Sequence, residues 1–417
     1  MFRRKWGSEW WCLLGAVCLT AALLATRGRP GTYSAPGLLL LGAGGVCCGL
    51  GIRRREGIPA TPAASVPNVK LKALFWAVVA IHAALAVAVV RKVPGEVNDV
   101  YLFQRDAARA LLQGVDPYTI THADRDPAHS WFFYGRGVSE QGRLQFGFPY
   151  LPASLLLVLP GYLAGDVRYA LTAALVGCAL LMWQMRKDRF SLLAIGVLLL
   201  NPVTFFVISQ SWTEPLLVLL VCWTILGACR NSRWLPVALG VLLASKQYAV
   251  VALPLAVQLA PWADMKKTAR VLGYALAVML LVTLPFAIWN FPRFWHDVVV
   301  LQTVQPFRGD SLSFSALSAR LGAGPIPQAV VAAASVSALV WSLLAARARR
   351  PAVFASSFGF VLLPFFALNK QAFCNYYFLV MGCMLTAAVA ARTGPEGTAR
   401  SREGAAEGGK LAASRPW

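Results

Sequence analysis

Two aspartates in one polar stretch are the first side chains that could carry out acid–base chemistry. The stretch reads NDVYLFQRDAARALLQGVDPYTI over 98–120, and its apolar residues recur at helical spacing until Gly114. Asp99 begins that helix, and Asp116 stands in a turn before Pro117. Their structural interpretations are a helix N-cap and a turn former. The functional interpretation is a carboxylate at a membrane boundary that takes a proton from a hydroxyl, and both interpretations stay open.

Charged residues inside apolar stretches form the second group of candidates. Lys246 lies between LGVLLAS and QYAVVALPLAV, and Glu214 begins another apolar run. A charge within a membrane is costly, so each residue indicates a functional site, although the two could also pair with each other. Lys246, Arg308 and Lys370 on one side of the membrane would form an anion site suited to phosphate. The alternative, plausible for Lys370, is a side chain that snorkels to the interface.

Aromatic residues crowd the chain between these candidates. The stretch HADRDPAHSWFFYGRGVSEQGRLQFGFPYLP carries Trp131, Phe132, Phe133, Tyr134, Phe146, Phe148 and Tyr150. Such side chains anchor loops at a membrane interface, and they also stack on sugars; composition does not separate the two. The nine cysteines and four histidines show no CxxC or HExxH spacing, so the sequence predicts no metal site.

The elements that must position these residues are membrane helices. Of the 417 residues, 58% are hydrophobic and 14% are charged, whereas soluble domains have about 25% charged residues. The net charge of +21 does not indicate a nucleic-acid partner, because the basic residues form short runs between apolar segments, as in Arg53–Arg55 and Arg349–Arg350. The sequence therefore predicts an all-α polytopic membrane protein.

About twelve membrane helices are predicted, and two of them form a short hairpin with Lys246 at its tip. The segment 149–164 contains three prolines and only a short apolar run, so we expect it to lie along the membrane surface. The twelve predicted segments are 10–26, 36–52, 73–91, 167–185, 190–208, 212–229, 234–245, 248–262, 270–290, 326–346, 352–368 and 373–391.

Charge sidedness predicts the orientation of this bundle. With the N-terminus inside and 10–26 retained as a first helix, the cytoplasmic segments hold 24 basic and 7 acidic residues, against 15 and 11 elsewhere. Both termini are then cytoplasmic in the plasma (inner) membrane, and the candidate residues are extracytoplasmic. We divide the chain into an N-terminal hairpin with a basic loop (1–72), a membrane domain (73–391) whose long first loop is 92–166 and contains short helices, and a disordered tail (392–417).

Five pieces of the sequence resemble the membrane-embedded GT-C glycosyltransferases, in particular the bacterial polyprenyl-phosphate-mannose-dependent glycosyltransferase family eighty-seven. The resemblance spans about 95–390 and departs from that family at Ser209-Gln210, where Gly-Gln is expected, and at Asn375-Tyr376-Tyr377, where histidine is common. The pieces are NDVYLFQRDAARALLQGVDPY, FGFPYLPASLLLVLP, NPVTFFVISQSWTEPLLVLL, LGVLLASKQYAVVALPLAV and NKQAFCNYYFLV.

The resemblance implies a GT-C-like fold and the transfer, with inversion, of a sugar such as mannose from a polyprenyl-phosphate carrier to an acceptor hydroxyl. It implies that Asp99 is the base, that Asp116 positions the acceptor or shares that role, and that Lys246 binds the lipid phosphate with Arg308 and Lys370. The expected substrate-binding residues are Asn98, Tyr118, Tyr150, Gln210, Glu214, Asn375 and Tyr377.

The expected partners are the bilayer, the lipid-linked donor and a glycan, lipid or protein acceptor, without nucleic acid, metal or cofactor. Two alternatives stay open. One is a lipid or sugar transporter or flippase without chemistry, which would need polar groups through the full depth of the membrane. The other is a polymerase or ligase of lipid-linked glycans, which would share the same face and many of the same residues.

Overall fold

The computed structural model is almost entirely helical and describes residues 7–25, 35–53, 69–94, 98–259, 265–346 and 350–391. The predicted disorder of 392–417 lies outside the described residues. The helices of the first part of the chain are α1 (Ser8–Ala25), α2 (Ala35–Arg53), α3 (Val69–Lys92), α4 (Asp99–Leu112), α5 (Ser130–Phe133), α6 (Pro152–Leu163), α7 (Arg168–Met185), α8 (Arg189–Leu199) and α9 (Pro202–Ser209).

The second part of the chain continues with long helices and short turns of helix. These are α10 (Glu214–Cys229), α11 (Leu235–Leu243), α12 (Ala252–Leu255), α13 (Met265–Trp289), α14 (Phe291–Trp295), α15 (Leu301–Val304), α16 (Phe314–Arg320), α17 (Gln328–Ala345), α18 (Pro351–Leu368) and α19 (Cys374–Ala390). 3₁₀ turns lie at Pro127–His129, Gln247–Val251 and Ala256–Leu259, and a π-helical turn lies at His296–Val300.

Several helices are long and apolar enough to cross a membrane, which makes the chain a multi-pass membrane protein. Among the described residues six helices meet this length and composition, or seven if α8 and α9 together form one bent span. The predicted segments largely coincide with observed helices, but a total of twelve spans is not established by these lengths.

The predicted helix 190–208 is wrong as a single element, because it breaks between α8 and α9 with a bend of 43°. Pro202 has no N–H for the helix ladder, and its ring excludes the preceding backbone from helical geometry. Asn201 instead caps α9, and its side-chain oxygen accepts a hydrogen bond from Val203 N at 3.0 Å. The break therefore follows from an Asn-Pro pair inside an apolar run.

The predicted hairpin is present, but its second arm is not a regular helix. The chain turns at Ser245–Lys246 after α11 and then alternates between 3₁₀ and α geometry from Gln247 to Leu259. Pro254 lies in the middle of this arm and cannot donate to the carbonyl one turn earlier. The lysine tip therefore rests on an irregular arm.

The core is built around α19, which is buried along nearly its whole length. It packs against α1, α10 and α18. The helices of the predicted N-terminal hairpin, α1 and α2, pack on each other and on this core. Their small residues permit close contact, since Gly15 leaves room for the Met384 side chain at about 3 Å from where its Cβ would be.

The first loop (92–166) holds the short elements that line the candidate site. It contains α4, α5, α6 and a small antiparallel sheet in the order β1–β3–β2, with β1 at His122–Ala123, β2 at Ser139–Glu140 and β3 at Arg143–Leu144. The sequence did not predict this sheet. The segment 149–164, expected to lie on the membrane surface, forms α6 and packs against α4 and α7.

Candidate active site

The start of α4 places the first aspartate. Asn98, not Asp99, is the N-cap: it has extended geometry, and its side-chain oxygen accepts from Val100 N at 2.8 Å. The N-cap interpretation of Asp99 is therefore wrong by one residue. Asp99 is the first helical residue; its Oδ1 also accepts from Val100 N, at 2.8 Å. A carboxylate in this first turn is favoured by the partial positive charge of the helix N-terminus.

A turn between two membrane helices lies beside Asp99. Asn98 Nδ2 donates to Gln210 Oε1 at 3.2 Å. One turn further along α4, Gln104 Nε2 donates to the carbonyl of Ser211 at 2.6 Å. Ser211 has a φ of 58°, in the left-handed region that few non-glycine residues adopt. Two amide side chains therefore hold the α9–α10 turn against the start of α4.

Tyr134 provides a direct partner for the candidate base. Its hydroxyl donates to Asp99 Oδ2 at 2.8 Å, so the two Asp99 oxygens accept from different donors. Burial, followed by the charge of Asp99, raises the pKa of Tyr134 far above its usual range. The phenol therefore remains a donor at any physiological pH. It fixes the direction in which the free lone pairs of the carboxylate point.

The hairpin tip brings a buried ion pair to the same region. Lys246 Nζ donates to Glu214 Oε1 at 2.8 Å, and Tyr248 donates to the same oxygen at 3.1 Å. The Glu214 side chain is fully buried and that of Lys246 is 6% exposed. Within the described residues, Glu214 Oε2 is buried without a hydrogen-bond partner. The sequence left open whether these two residues pair, and they do.

Tyr150 connects the base to the ion pair. Lys246 Nζ lies 4.6 Å from the centre of the Tyr150 ring. Burial raises the pKa of Tyr150, and the neighbouring Tyr376, Asp99 and Glu214 raise it further. The Lys246–Glu214 pair also lies next to the α9–α10 turn that Asn98 and Gln104 hold, so Asp99 and this pair belong to one region, although they come from α4, α10 and the hairpin tip. We refer to Asp99, Tyr134, Tyr150, Glu214 and Lys246 as the Tyr150 site.

Arg308 lies at the border of this site. Its Nε and Nη2 donate to the two carboxylate oxygens of Asp310 at 2.7 and 2.6 Å. Its guanidinium carbon lies 4.7–5.2 Å from the ring centres of Phe132, Phe133 and Phe373. Phe132 and Phe133 belong to the aromatic stretch whose role the sequence left undecided, and Phe373 directly precedes α19. Here they surround a cation.

Lys370 has a different environment from Lys246. Its ammonium donates to the carbonyls of Gln305 and Thr303 at 2.6 and 3.1 Å, and partial burial lowers its pKa. Its own carbonyl accepts from Arg308 N at 3.0 Å. Lys370 therefore ties the loop before α19 to the chain before α16, and its ammonium is not aimed at the Tyr150 site.

Asp116 lies in a layer behind the Tyr150 site. Its Oδ1 accepts from Tyr118 N at 2.9 Å, which is the turn geometry expected before Pro117. Burial raises the pKa of Asp116. The hydroxyl of Tyr118 donates to the carbonyl of Tyr150 at 2.9 Å, so this turn supports the backbone of Tyr150. The contacts of Asp116 and Tyr118 are thus with the loop that carries the site.

The start of α19 separates two adjacent tyrosines. The hydroxyl of Tyr377, expected in the sugar pocket, donates to the carbonyl of Leu312 at 2.6 Å, and the side chain is only 1% exposed. Its partner is backbone of the chain before α16, because α19 turns this position inward. Tyr376 instead is half-buried and packs near Tyr248, at 6.2 Å between ring centres. Asn375 is buried, and its Oδ1 has no partner among the described residues.

Three phenols of this region were missed in the sequence: Tyr134, Tyr248 and Tyr376. A signal existed for Tyr248, which follows the buried lysine by two residues. Tyr134 is the one hydroxyl-bearing residue in the run WFFY, but its contact with a carboxylate 35 residues earlier has no local signature. Within the described residues, no group of three or more His, Cys, Asp or Glu side chains comes together as a possible metal site.

Comparison with known proteins gives one structural match. No protein-family model matches the chain, and no curated protein matches its sequence. The crystal structure of ArnT from Cupriavidus metallidurans bound to undecaprenyl phosphate is similar, with a TM-score of 0.51 at 15% sequence identity. The match covers 77% of this chain and 60% of the ArnT chain, so this chain spans less than two thirds of that protein. At such low identity the likeness concerns the fold alone: the chain has an ArnT-like fold.

Proposed function

We propose that the protein is a glycosyltransferase that moves a sugar from a polyprenyl-phosphate carrier to an acceptor hydroxyl. The observation that carries this proposal is a chain of contacts: the start of α4, which holds Asp99, is hydrogen-bonded to the α9–α10 turn, and Glu214 just after that turn binds Lys246. The reaction needs a base at the attacking hydroxyl and a cation at the leaving phosphate. The fold adds support, because the ArnT structure with the same fold is bound to undecaprenyl phosphate.

Asp99 acts as the base in this proposal. The acceptor oxygen attacks the anomeric carbon of the donor sugar, its proton passes to Asp99, and the bond from that carbon to the phosphate oxygen breaks. Tyr134 holds one carboxylate oxygen at 2.8 Å and orients the other toward the acceptor. Attack from the side opposite the leaving phosphate inverts the anomeric centre. A positioned general base of this kind contributes about 10²- to 10⁴-fold to the rate.

Lys246 stabilises the leaving phosphate. Among the described residues only Glu214 accepts from its ammonium, so two of its three N–H groups remain for a phosphate. The Tyr150 and Tyr248 rings lie 4.6 and 5.8 Å from the charge and exclude water from it. A cation in such a site acts strongly on charge that develops in the transition state. Arg308 lies on the Tyr134 side of the site, and its guanidinium is paired with Asp310.

The finer features of the proposal come from the sequence resemblance. Mannose is the proposed sugar, and the proposed reaction face is extracytoplasmic, where the membrane-anchored carrier presents it. Asn98 and Gln210, which hydrogen-bond each other beside Asp99, are the proposed first contacts of the sugar or acceptor hydroxyls. The acceptor class is a hydroxyl of a glycan, lipid or protein.

The test uses the purified protein in proteoliposomes with radiolabelled polyprenyl-phosphate-mannose and a panel of acceptors. Asp99→Asn should reduce transfer by at least about 100-fold, because amide nitrogen and oxygen cannot take the proton. Asp126→Asn is the matched control: the same change in the first loop, at an exposed carboxylate paired with His129, should leave transfer unchanged.

Three results would contradict the proposal. Transfer that survives Asp99→Asn removes this residue as the base. Movement of the labelled donor across the bilayer without any covalent product would identify a transporter or flippase instead. Extension of a lipid-linked glycan by repeated units would identify a polymerase.

A further inference from the structure

A large groove lies at the opposite end of the helices from the Tyr150 site. It has a volume of about 990 Å³ and runs between α1, α3 and α8. It begins at Arg189, the first residue of α8, and ends at the bend before α9, whereas Gln210 and the Tyr150 site lie beyond the far end of α9. On α3 it is confined to the first third, from Lys70 to Val78. It is thus separate from the proposed reaction site.

The walls of the groove are aliphatic and open outward. Leu74 of α3 and Leu193 of α8 line it and are 54% and 51% exposed. Gly196 lies between them on α8, and a Cβ added there would meet nothing within 4 Å. Because α3 and α8 are apolar, these surfaces face the hydrocarbon of a bilayer. A hydrocarbon chain can enter the groove from the side.

Positive charge marks one end of the groove. Lys70 and Arg189 both line it, both side chains are exposed, and each lies in the first turn of its helix. The N-terminus of α3 adds partial positive charge at the same end. The nearby carboxylate of Asp188 is already engaged, because it caps α8 at Ser191 N and pairs with Arg186 at 2.5 Å. This end of the groove therefore favours an anion.

A small polar contact lies toward the other end of the groove. Asn201 Nδ2 donates to Thr20 Oγ1 at 3.1 Å, and both residues line the groove. The span from Lys70 to Val78 corresponds to about 12 Å of helix. The groove thus combines a cationic entrance with an apolar wall of roughly that length. These features are complementary to an amphiphile with an anionic head and a hydrocarbon tail.

We propose that this groove binds an anionic glycerophospholipid of the surrounding bilayer. The phosphodiester lies at Lys70 and Arg189, and one acyl chain lies along Leu74 and Leu193 toward the α8–α9 bend. Basic residues at a membrane surface attract anionic headgroups, and here the attraction coincides with a preformed groove of the size that ligands occupy. The site is independent of the proposed reaction.

The test is photocrosslinking in nanodiscs. The full chain is reconstituted in phosphatidylcholine with a small fraction of phosphatidylglycerol that carries a diazirine on its acyl chain. After irradiation, crosslinked peptides are mapped by mass spectrometry. We expect crosslinks concentrated on 70–78 and 189–200, and a reduction of about tenfold or more in the double variant Lys70→Glu/Arg189→Glu. The matched charge control, Arg91→Glu/Lys92→Glu at the other end of α3, should leave them unchanged.

A second variant fills the groove without touching its charges. Gly196→Leu should displace the acyl chain and reduce the crosslinks, since the added side chain has open space. Gly273→Leu on α13 is its control, because a Cβ there also meets nothing within 4 Å. Thermal unfolding in the same nanodiscs checks that each variant is folded.

Three outcomes would overturn the proposal. Crosslinks spread evenly over lipid-facing helices, and equal in all four variants, would show ordinary boundary lipid. Competition by unlabelled phosphatidylcholine as effective as by phosphatidylglycerol would remove the role of the anionic head. Competition by polyprenyl phosphate at concentrations where phosphatidylglycerol has no effect would assign the groove to the carrier lipid.

Discussion

At the scale of single residues, the Lys246–Glu214 pair needs an explanation. Taking two opposite charges out of water costs more than their attraction usually returns, so such a pair is weak evidence of stability by itself. Glu214 has no exposed surface and one oxygen without a partner in the described part of the chain. Binding explains this buried pair better than stability does. The ammonium of Lys246 is already out of water, so a phosphate can bind it without the cost of desolvating it.

A pair of variants separates the structural from the binding role. Lys246→Met leaves the Glu214 carboxylate buried without its cation, so the free energy of unfolding should fall by about 3–5 kcal/mol. The double variant Lys246→Met/Glu214→Gln removes both charges and should recover most of that loss. Thermal unfolding in detergent measures this, and transfer is assayed in parallel. If the double variant also regains transfer, Lys246 has no role beyond pairing with Glu214.

Tyr134 is a positioning residue whose effect should appear in turnover. Tyr134→Phe removes the hydroxyl that donates to Asp99 at 2.8 Å while it keeps the ring. A hydrogen bond to a charged group contributes about 1.5–3 kcal/mol, so kcat should fall by about 10- to 100-fold with little change in the KM of the donor. Phe133→Leu, beside it in α5, is a control for loop packing. An increase in KM with unchanged kcat would contradict the assigned role.

At the scale of elements, the hairpin tip joins both loops that surround the site. Gln247 Nε2 donates to the carbonyls of Pro149 and Val298, each at 3.0 Å. Pro149 precedes Tyr150, and Val298 belongs to the π-helical turn of the second loop, which is residues 291–325. One amide therefore fixes three separate parts of the chain. The position of Lys246 is in this way coupled to that of Tyr150.

This coupling predicts a local loosening in Gln247→Leu. The variant leaves two carbonyls without this donor, so the opening free energy of both loops should fall by about 1–3 kcal/mol. Hydrogen exchange should accelerate in 145–151 and 296–302 together. The matched control is Gln258→Leu in the same hairpin arm, whose amide donates to Ser342 O at 3.1 Å. Faster exchange in the two loops of the control as well would show a general loss of stability instead.

Asp297 makes the second loop sensitive to pH. Its Oδ2 accepts from Gly147 N at 2.7 Å, which attaches the second loop to the first. Burial is the main cause that raises the pKa of Asp297 to about 6, against about 4 in an unfolded chain. The folded state therefore binds this proton more tightly. The resulting stabilisation is complete below pH 4 and is lost as the pH rises through 6.

The stability of the native protein should consequently fall relative to Asp297→Asn as the pH rises from 4.5 to 8. Over this range the difference between the two proteins in the free energy of unfolding should change by at most about 3 kcal/mol. Thermal unfolding in detergent at several pH values measures it. Gln302→Ala, a change without a titratable group in the same loop, should lower the Tm by a similar amount at each pH. A constant difference between the native protein and Asp297→Asn would show that this carboxyl does not titrate in the range.

The helices could largely be predicted because long apolar runs bounded by charges have few alternatives in a membrane. The errors occurred where local chemistry opposed the apolar pattern. Pro202 divides one predicted helix and Pro254 disturbs another, and both prolines were visible in the sequence. The small sheet of the first loop could not be predicted, since its strands are two residues long and are defined by pairing.

The candidate site was predictable only in part. Asp99, Lys246 and Glu214 drew attention because charges are rare in this chain. Their convergence on Tyr150 depends on how the first loop folds over the helix ends, and no spacing in the sequence encodes it. The sequence also predicted Tyr377 rather than Tyr376 as a substrate-binding residue. Which of these two neighbours faces the core depends on the rotation of α19 about its axis, and the local sequence does not determine that rotation.

At the scale of the whole molecule, the two proposed sites lie at opposite ends of the bundle. The Tyr150 site is formed where α4, the α9–α10 turn and the hairpin tip meet, and the lipid groove lies at the start of α3 and α8. The turn at 186–189 is rich in basic residues, as cytoplasmic loops are, and it lies at the same end of the bundle as the groove. The charge asymmetry of the sequence therefore predicts that the groove faces the cytoplasm and the Tyr150 site faces away from it.

This sidedness can be tested with single introduced cysteines. Arg136→Cys lies on an exposed part of the first loop, and Lys187→Cys lies on the exposed turn between α7 and α8. The nine native cysteines are buried or only partly exposed, so their background labelling should be low. An impermeant maleimide applied to intact cells should label Arg136→Cys, and it should label Lys187→Cys only after permeabilisation. The opposite pattern would place Asp99 and Lys246 in the cytoplasm, where a sugar carried on the outer leaflet cannot reach them. Equal labelling of both in intact cells would mean that the chain does not separate its basic loops from the first loop, and the topology on which the proposed reaction depends would fail.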